Sequence, residues 1–406
     1  MGTDIFLLNI SGQDKPGLTS SLTSVLAAYD AKILDIGQAN IHDTLSLGML
    51  FEIKSGKKSA AVLKDLLFKA YELGITAKFT PISLENYEHW VSMQGKDRYI
   101  VTILGEKLKA EQISEVTKVI SEKNLNIDSI KRLTGRTSLI KEEEYPRASI
   151  QLSIRGKLND KSDFTSKFME ISQDLDVDIA FQEDSMFRRN RRLVCFDMDS
   201  TLIQTEVIDE LAERAGVGEK VKAITESAMQ GEIDFQESFK KRMKLLEGLS
   251  EDVLKDIAEN LPITQGARRL IDTLHNYGYK TAILSGGFTY FGRYLQEKLD
   301  IDFVFANELE IKDGVLTGGY IGDIVDGNKK AEYLQLLADN MGIDIQQTIA
   351  IGDGANDLQM LNLAGLGIAF HAKPKVKDNA QNSISSIGLD GVLYLLGYHD
   401  RHIDLV

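Results

Sequence analysis

Residues 191–204, RRLVCFDMDSTLIQ, place two carboxylates, Asp197 and Asp199, one residue apart directly behind the apolar run Leu193, Val194, Cys195 and Phe196. Such a run suits a parallel strand buried on both faces. The carboxyl ends of parallel strands are where open α/β sheets hold their ligands, so both acids stand where a site is expected. An Asx-turn closing the strand would account for one of them, but hardly for two. Together they offer nucleophilic and general acid–base chemistry: one carboxylate attacks, the other hands over and takes back a proton.

Three later segments could complete such a site. Thr281, Ala282, Ile283 and Leu284 form a second apolar strand, broken by Ser285-Gly286-Gly287 before a helix that carries Tyr290 and Tyr294. A hydroxyl and glycines at a helix start let backbone N–H groups approach a phosphate, although an ordinary glycine-rich turn reads the same way. Gly327-Asn328-Lys329-Lys330-Ala331-Glu332 opens an amphipathic helix with Tyr333, Leu334 and Leu337 on one side. Finally, the strand Thr348 to Ile351 runs into Gly352-Asp353-Gly354-Ala355-Asn356-Asp357. Its acids lack the alternating spacing of an EF-hand loop and suit a hard cation that takes few carboxylates, such as Mg²⁺.

The order Asp197-x-Asp199-x-Thr201, Ser285-Gly286, Lys330 and Gly352-Asp353-Gly354-Ala355-Asn356-Asp357 resembles the signature of the haloacid dehalogenase superfamily of phosphotransferases. That resemblance implies an α/β fold with a Rossmann-like core. It makes Asp197 the nucleophile at phosphorus and Asp199 the proton shuttle. Mg²⁺ is expected on Asp197, the Asp199 carbonyl and Asp353, with Asp357 supporting the metal's ligands. Ser285, Gly286, Lys330 and Asn356 are expected to hold the phosphoryl group. Lys330 is preferred to Lys329 because the family's lysine directly precedes a small residue.

Between the first two elements, residues 205–262 are too long for a simple crossover. Ile208, Leu211, Ala212 and Ala215, then Phe239, Met243 and Leu246, have helical spacing, which predicts a helical cap. A cap excludes water and carries specificity groups. Glu206, Met229, Phe235 and Arg242 stand at positions that resemble those of the phosphoserine phosphatase family, where a Glu meets the substrate amine, an Arg meets its carboxylate, and Met and Phe shape the pocket. The chemistry is complementary: a guanidinium fork suits a carboxylate, and a carboxylate suits an ammonium. Taken singly, the same residues would read as solvated helix charges and cap core. The resemblance implies a Mg²⁺-dependent phosphoric monoester hydrolase acting on O-phospho-L-serine, the last step of serine biosynthesis. The alternatives are a phosphatase or phosphotransferase for another small phosphometabolite and, further off, a non-catalytic amino-acid sensor.

The first half of the chain has another organisation. Residues 4–12, DIFLLNISG, and 97–105, DRYIVTILG, share an outline of acid, apolar strand and glycine. Each precedes a helical stripe: Leu18, Leu22, Val25, Leu26 and Tyr29 in one, Ile113, Val116, Val119 and Ile120 in the other. Two further strands, a helix and a closing strand follow in each, predicting two α+β repeats of βαββαβ order, with helices on one face of an antiparallel sheet. These repeats resemble ACT domains, ferredoxin-like modules that often bind amino acids and regulate metabolic enzymes. Asp14-Lys15-Pro16-Gly17-Leu18 is similar to the effector loop of many of them, which marks Asp14 and Gly17 as effector-binding candidates. The second repeat has Gly105-Glu106-Lys107-Leu108 and no Pro-Gly, so Gly105 alone carries the comparison there. The expected boundaries are residues 1–88 and 95–184 for the repeats and 189–406 for the phosphatase domain. Serine feedback and a homodimer joined through the ACT-like domains follow as expectations.

Composition bounds the partners. The 406 residues are 43% hydrophobic and 27% charged, ordinary globular material. A net charge of −14 argues against a general nucleic-acid surface. Arg188-Arg189-Asn190-Arg191-Arg192 is the local exception, read first as a solvated linker and second as a phosphate patch or interdomain contact. The single Cys195 excludes an intramolecular disulfide, the six histidines form no zinc pattern, and no apolar segment is long enough to cross a membrane. With no secretory signal at Met1-Gly2-Thr3-Asp4, a cytoplasmic protein is expected.

Overall fold

The computed structural model describes residues 2–403, apart from 94, 96, 137, 139, 141–144 and 231 and apart from the Met229 side chain. The chain divides into two compact units, Met1–Lys96 and Asp97–Val406.

The first unit holds β1 (Thr3–Gln13), α1 (Leu18–Ala28), β2 (Lys32–Ile41), β3 (Thr44–Lys54), α2 (Lys57–Leu73) and β4 (Thr76–Ile82). Its sheet runs β2-β3-β1-β4, with every pairing antiparallel. Leu18, Leu22 and Leu26, spaced one helical turn apart, bury one face of α1 with Val62, Leu66 and Ala70 of α2 against Leu8, Ile10, Leu47 and Met49. A helix the sequence pattern did not predict, α3 (Leu84–Ser92), follows; Ser83 caps it by accepting from the Asn86 N–H. None of its residues is buried, so it leaves no apolar stripe to read.

The second repeat opens the other unit: β5 (Arg98–Gly105), α4 (Ala110–Glu122), β6 (Asn126–Arg132), β7 (Ala148–Arg155), α5 (Lys161–Leu175) and β8 (Asp178–Glu183), with sheet order β6-β7-β5-β8. Its burial differs from that of the first repeat. Where β1 alternates, residues 99–105 of β5 are buried throughout. One face meets α4 and α5 through Val101, Ile103, Val116, Phe164 and Phe168. The other meets the C-terminal domain, where Leu104, Leu133 and Ala180 share a core with Leu389 and Leu393.

That domain contains β9 (Leu193–Phe196), four cap helices α6 (Val207–Arg214), α7 (Gly218–Met229), α8 (Phe235–Leu245) and α9 (Asp252–Glu259), then α10 (Ala267–Asn276), β10 (Lys280–Phe288), α11 (Thr289–Leu299), β11 (Phe303–Lys312), β12 (Val315–Ile321), α12 (Gly327–Asn340), β13 (Thr348–Gly352), α13 (Leu358–Leu363), β14 (Leu366–Phe370) and β15 (Asn382–Ile384). The seven-stranded sheet has the order β12-β11-β10-β9-β13-β14-β15 and is parallel except for β12. The first strand of the domain, β9, therefore lies in the middle, between β10 and β13. Strand order reverses there, the topological switch point at which such sheets bind ligands.

The arginine cluster at residues 188–192 is only in part the solvated linker expected: Arg189, Asn190 and Arg192 are exposed, and Arg188 and Arg191 are buried. Arg188 and Arg191 are 7% and 4% exposed. Arg188 donates to the Gln151 side chain and the Leu395 carbonyl, Arg191 to Gln182 and the Gly365 carbonyl, and Arg189 pairs with Asp184. For the two buried arginines the runner-up reading, an interdomain contact, holds. Charge density suggests solvent, but a guanidinium can be buried when its terminal N–H groups find carbonyl acceptors, as here, where only the Nε of each buried arginine lacks one.

Asp178 of β8 makes the same junction from the other side. Its carboxylate accepts the Ser385 N–H at 2.8 Å, the Ser386 N–H at 2.8 Å and the Ser386 hydroxyl at 2.5 Å. Asp178→Ala strands these donors and should destabilise the protein by about 3 kcal/mol. Urea unfolding followed by circular dichroism checks this; an unchanged midpoint would mean the donors had found other partners.

Candidate active site

Four loops at the carboxyl ends of β9, β10 and β13 and the start of α12 converge. The Asp197 N–H donates to the Ile351 carbonyl at 2.8 Å, continuing the β9–β13 ladder to the edge of the site. The chain then turns sharply: Asp199 is extended at φ −69°, ψ 136°, and Ser200 is left-handed at φ 57°. This kink separates two acids that on a regular strand would share a face. Asp199 Oδ1 accepts the Val207 N–H at 2.9 Å, at the start of α6, while the Ser200 hydroxyl donates to Glu206 Oε1 at 2.9 Å.

Lys330 lies in the first turns of α12 and is fully buried. Its ammonium donates to Asp197 Oδ1 and to Asp357 Oδ1, each at 2.6 Å. Burial disfavours its charge, but the two carboxylates outweigh that and hold its pKa above the usual lysine value. Asp357 also accepts the Gly354 N–H at 2.9 Å, and Thr201 donates to Asp353 at 3.3 Å. Lys329 pairs with Glu332 instead, so Lys330 is the lysine of the site.

The acids crowd one another. Burial first, then Asp357, raises the Asp197 carboxyl well above its ordinary range; burial and Glu206 push Asp199 up to about 8; burial and Asp357 push Asp353 up to about 7. Carboxylate oxygens of Asp197, Asp353 and Asp357 lie within 4.8 Å of one another. Three hard oxygen donors at this spacing fit a small divalent cation, which would favour their charged forms. Asp357 thus touches both the lysine and the cation cradle.

Ser285, buried at the end of β10, accepts the Gly287 N–H on its Oγ at 2.9 Å. Gly287 has to be glycine: a Cβ there would lie 2.4 Å from Asp199 Oδ2 and 2.7 Å from Met198 Cε. The cap meets this loop. A Cβ on Gly286 would stand 3.1 Å from the Phe235 ring, and Gln236 donates to Asp326, the N-cap of α12, at 3.2 Å. Arg242, partly buried on α8, bonds only the Ser238 carbonyl of its own helix and has no ion pair among the described residues. Burial lowers its pKa, and the acids it senses are Asp209, Glu206 and Asp199. Asn356 is half-buried in the single turn Ala355–Asp357. Met229 ends α7, and its side chain lies outside the described residues. Sequence reasoning missed Ser200 and the double role of Asp357; the spacing of a motif does not reveal which acid a lysine will reach.

The effector candidates separate. Asp14 and Gly17 line one groove of about 410 Å³ with Lys15, Thr19 and Gln38. Gly17, at φ 88°, starts α1, and Asn40 donates to Asp14 at 2.5 Å. Gly105 is buried, and a Cβ there would stand 3.6 Å from Ser386 Oγ. The C-terminal domain covers that loop in the second repeat.

The chain is similar to known proteins. Residues 4–80 and 98–182 match ACT domains, and residues 194–362 match the haloacid dehalogenase-like hydrolases. A phosphoserine phosphatase of Mycobacterium tuberculosis is 37% identical over 392 residues, which are 96% of this chain and 92% of that one. One of Streptomyces coelicolor is 39% identical over 398 residues, covering 98% and 93%. The chain belongs to the phosphoserine phosphatase family. Among solved structures, a probable phosphoserine phosphatase from Vibrio cholerae superposes with a TM-score of 0.59 at 36% identity, covering 76% of this chain and 89% of that one. Membership in the family bears out the resemblance read from the motifs and the two ACT-like repeats.

Lys330→Met leaves Asp197 and Asp357 facing each other without a counter-ion. In EDTA it should destabilise the protein by about 3–5 kcal/mol. Adding Asp357→Asn should recover part of that loss; thermal unfolding of the two variants checks the order.

Proposed function

We propose that this protein hydrolyses O-phospho-L-serine to L-serine and phosphate through an aspartyl phosphate on Asp197. The observation that supports this reading is Arg242: a partly buried guanidinium on the cap with no carboxylate partner among the described residues, within electrostatic reach of Asp209, Glu206 and Asp199. An unpaired, desolvated guanidinium is a receptor for a carboxylate, and Glu206 supplies the counter-charge for an amine. A phosphorylated amino acid has all three groups.

In this proposal Asp197 attacks phosphorus and the bond to the serine oxygen breaks. Asp199, its carboxyl held near neutrality by burial and Glu206, gives that oxygen its proton. Asp199 then takes a proton from the water that attacks the aspartyl phosphate, and the bond to Asp197 breaks to release phosphate. Lys330, the Ser285 hydroxyl, the Gly286 N–H and Asn356 hold the phosphoryl oxygens. By the family resemblance, Met229 and Phe235 would shape the pocket. Asp197, the Asp199 carbonyl and Asp353 would hold Mg²⁺, with Asp357 in support; a bound Mg²⁺ supplies charge neutralisation and orientation of the phosphoryl group.

Regulation belongs to the same proposal. The groove at Asp14 and Gly17 pairs a carboxylate with a helix N-terminus, complementary to the amine and carboxylate of an amino acid such as serine. A homodimer through the first ACT-like domain is supported by the open edge of β2, where Ile33, Ile36 and Ile41 are exposed. A cytoplasmic location fits the single, buried Cys195 thiol, and no helix among the described residues is long and apolar enough to cross a membrane.

Asp197→Asn should fold normally and lose phosphate release by about 10³-fold or more; turnover near the wild-type rate would dismiss Asp197 as nucleophile. EDTA should abolish activity and Mg²⁺ restore it. Arg242→Ala should lower kcat/KM for phosphoserine by about 10²-fold while changing hydrolysis of p-nitrophenyl phosphate little. Equal losses on both substrates would remove the carboxylate contact. Asp14→Ala should abolish serine inhibition with kcat unchanged, as read by steady-state assays at several serine concentrations.

A further inference from the structure

The phosphate-facing loop of β10 is held by a residue outside every motif discussed so far. Opposite β11, the β10 ladder runs Leu284↔Phe305 and then Phe288↔Asn307. Three residues, Ser285, Gly286 and Gly287, thus span a gap that β11 bridges with one. The carbonyls of the bulge lose their ladder partners. The Asn307 side chain, in a residue only 2% exposed, takes their place: its Nδ2 donates to the Gly286 carbonyl at 2.8 Å and to the Gly287 carbonyl at 3.3 Å. Its Oδ1 accepts the Val325 N–H at 2.8 Å. The amide orientation is fixed by these partners, since a flip would set oxygen against two carbonyls and nitrogen against an N–H. Thr289, at the start of α11, donates to the Asn307 carbonyl at 3.0 Å and anchors the backbone.

Two consequences reach the site. The peptide joining Gly286 and Gly287 is bonded at both ends, its carbonyl to Asn307 and its N–H to Ser285 Oγ. The Ser285 oxygen is thereby used as an acceptor, and its proton is left to donate to a phosphoryl oxygen. Val325 directly precedes Asp326, the N-cap of α12, the helix that carries Lys330. One buried amide therefore fixes the spacing between the hydroxyl and N–H donors on one side of the phosphoryl position and the ammonium on the other.

We infer that Asn307 is a positioning residue for phosphoryl binding, setting the Ser285-Gly286 donors and the Lys330 helix in register without touching substrate. The inference rests on the phosphatase reading of the site. Asn307→Leu keeps the volume and neutral charge but makes no hydrogen bond; Asn307→Ser keeps one donor in a smaller side chain. Binding of inorganic phosphate by calorimetry, with Mg²⁺ and the full chain, tests the inference apart from turnover. In a folded Asn307→Leu protein the affinity should fall roughly 10- to 100-fold, with a smaller loss for Asn307→Ser. For both variants kcat/KM for phosphoserine and for p-nitrophenyl phosphate should drop by the same factor, because the amino-acid end is untouched. Wild-type phosphate affinity in either folded variant overturns the inference. So does failure of both to fold, which would assign Asn307 to the architecture alone. If the wild-type protein bound phosphate but did not hydrolyse phosphoserine, the functional reading would fail while this one stood.

Discussion

The buried ammonium of Lys330 between Asp197 and Asp357 is the contact on which the rest of the domain depends. Its two 2.6 Å hydrogen bonds tie α12 to the end of β9 and to the turn after β13. A fully buried lysine is tolerable only with such partners, because desolvation of an unpaired charge costs several kcal/mol. The same pairing leaves a surplus of negative charge. Asp199 and Asp353 stand beside the pair, and burial first, then a neighbouring carboxylate, Glu206 for Asp199 and Asp357 for Asp353, raises their pKa values. An acidic cluster of this kind suits a divalent cation.

Sheet topology makes the convergence possible. With β9 between β10 and β13, the three loops that follow these strands open at one edge, and no loop has to cross another to reach it. Close approach is then enforced by absent side chains. At Gly352 a Cβ would lie 2.5 Å from the Asp357 carboxyl, and at Gly287 2.4 Å from that of Asp199. These glycines serve proximity, with neither at positive φ.

The two ACT-like repeats show one pattern under two different environments. Both have βαββαβ order and matching sheet orders. In the second, the sheet face away from the helices is sealed by the C-terminal domain, β5 is buried on both sides, and the loop at Gly105 is covered by Ser386. In the first, the corresponding loop at Asp14 and Gly17 borders an open groove. Burial by a neighbour, more than loop sequence, separates the open loop of the first repeat from the one that joins domains in the second.

The sequence by itself determined most of the elements, α3 excepted, and the candidate chemistry. Apolar runs ended in acids or polar turns at three strands, helical stripes alternated with them, and the order of acid pair, hydroxyl, lysine and acid cluster pointed to phosphoryl transfer through its resemblance to the haloacid dehalogenase signature; each of these signals is local and survives in one dimension. It could not decide which groups meet. Lys330 reaches Asp357 across 27 positions and Asp197 across 133, and Arg188 finds the Leu395 carbonyl across 207. Asn307 stood unnoticed inside a strand, although a polar residue at the end of an apolar run was the available signal. Pairing, burial and the pKa shifts that follow belong to the tertiary structure, since they depend on the distance between side chains and the solvent excluded around them.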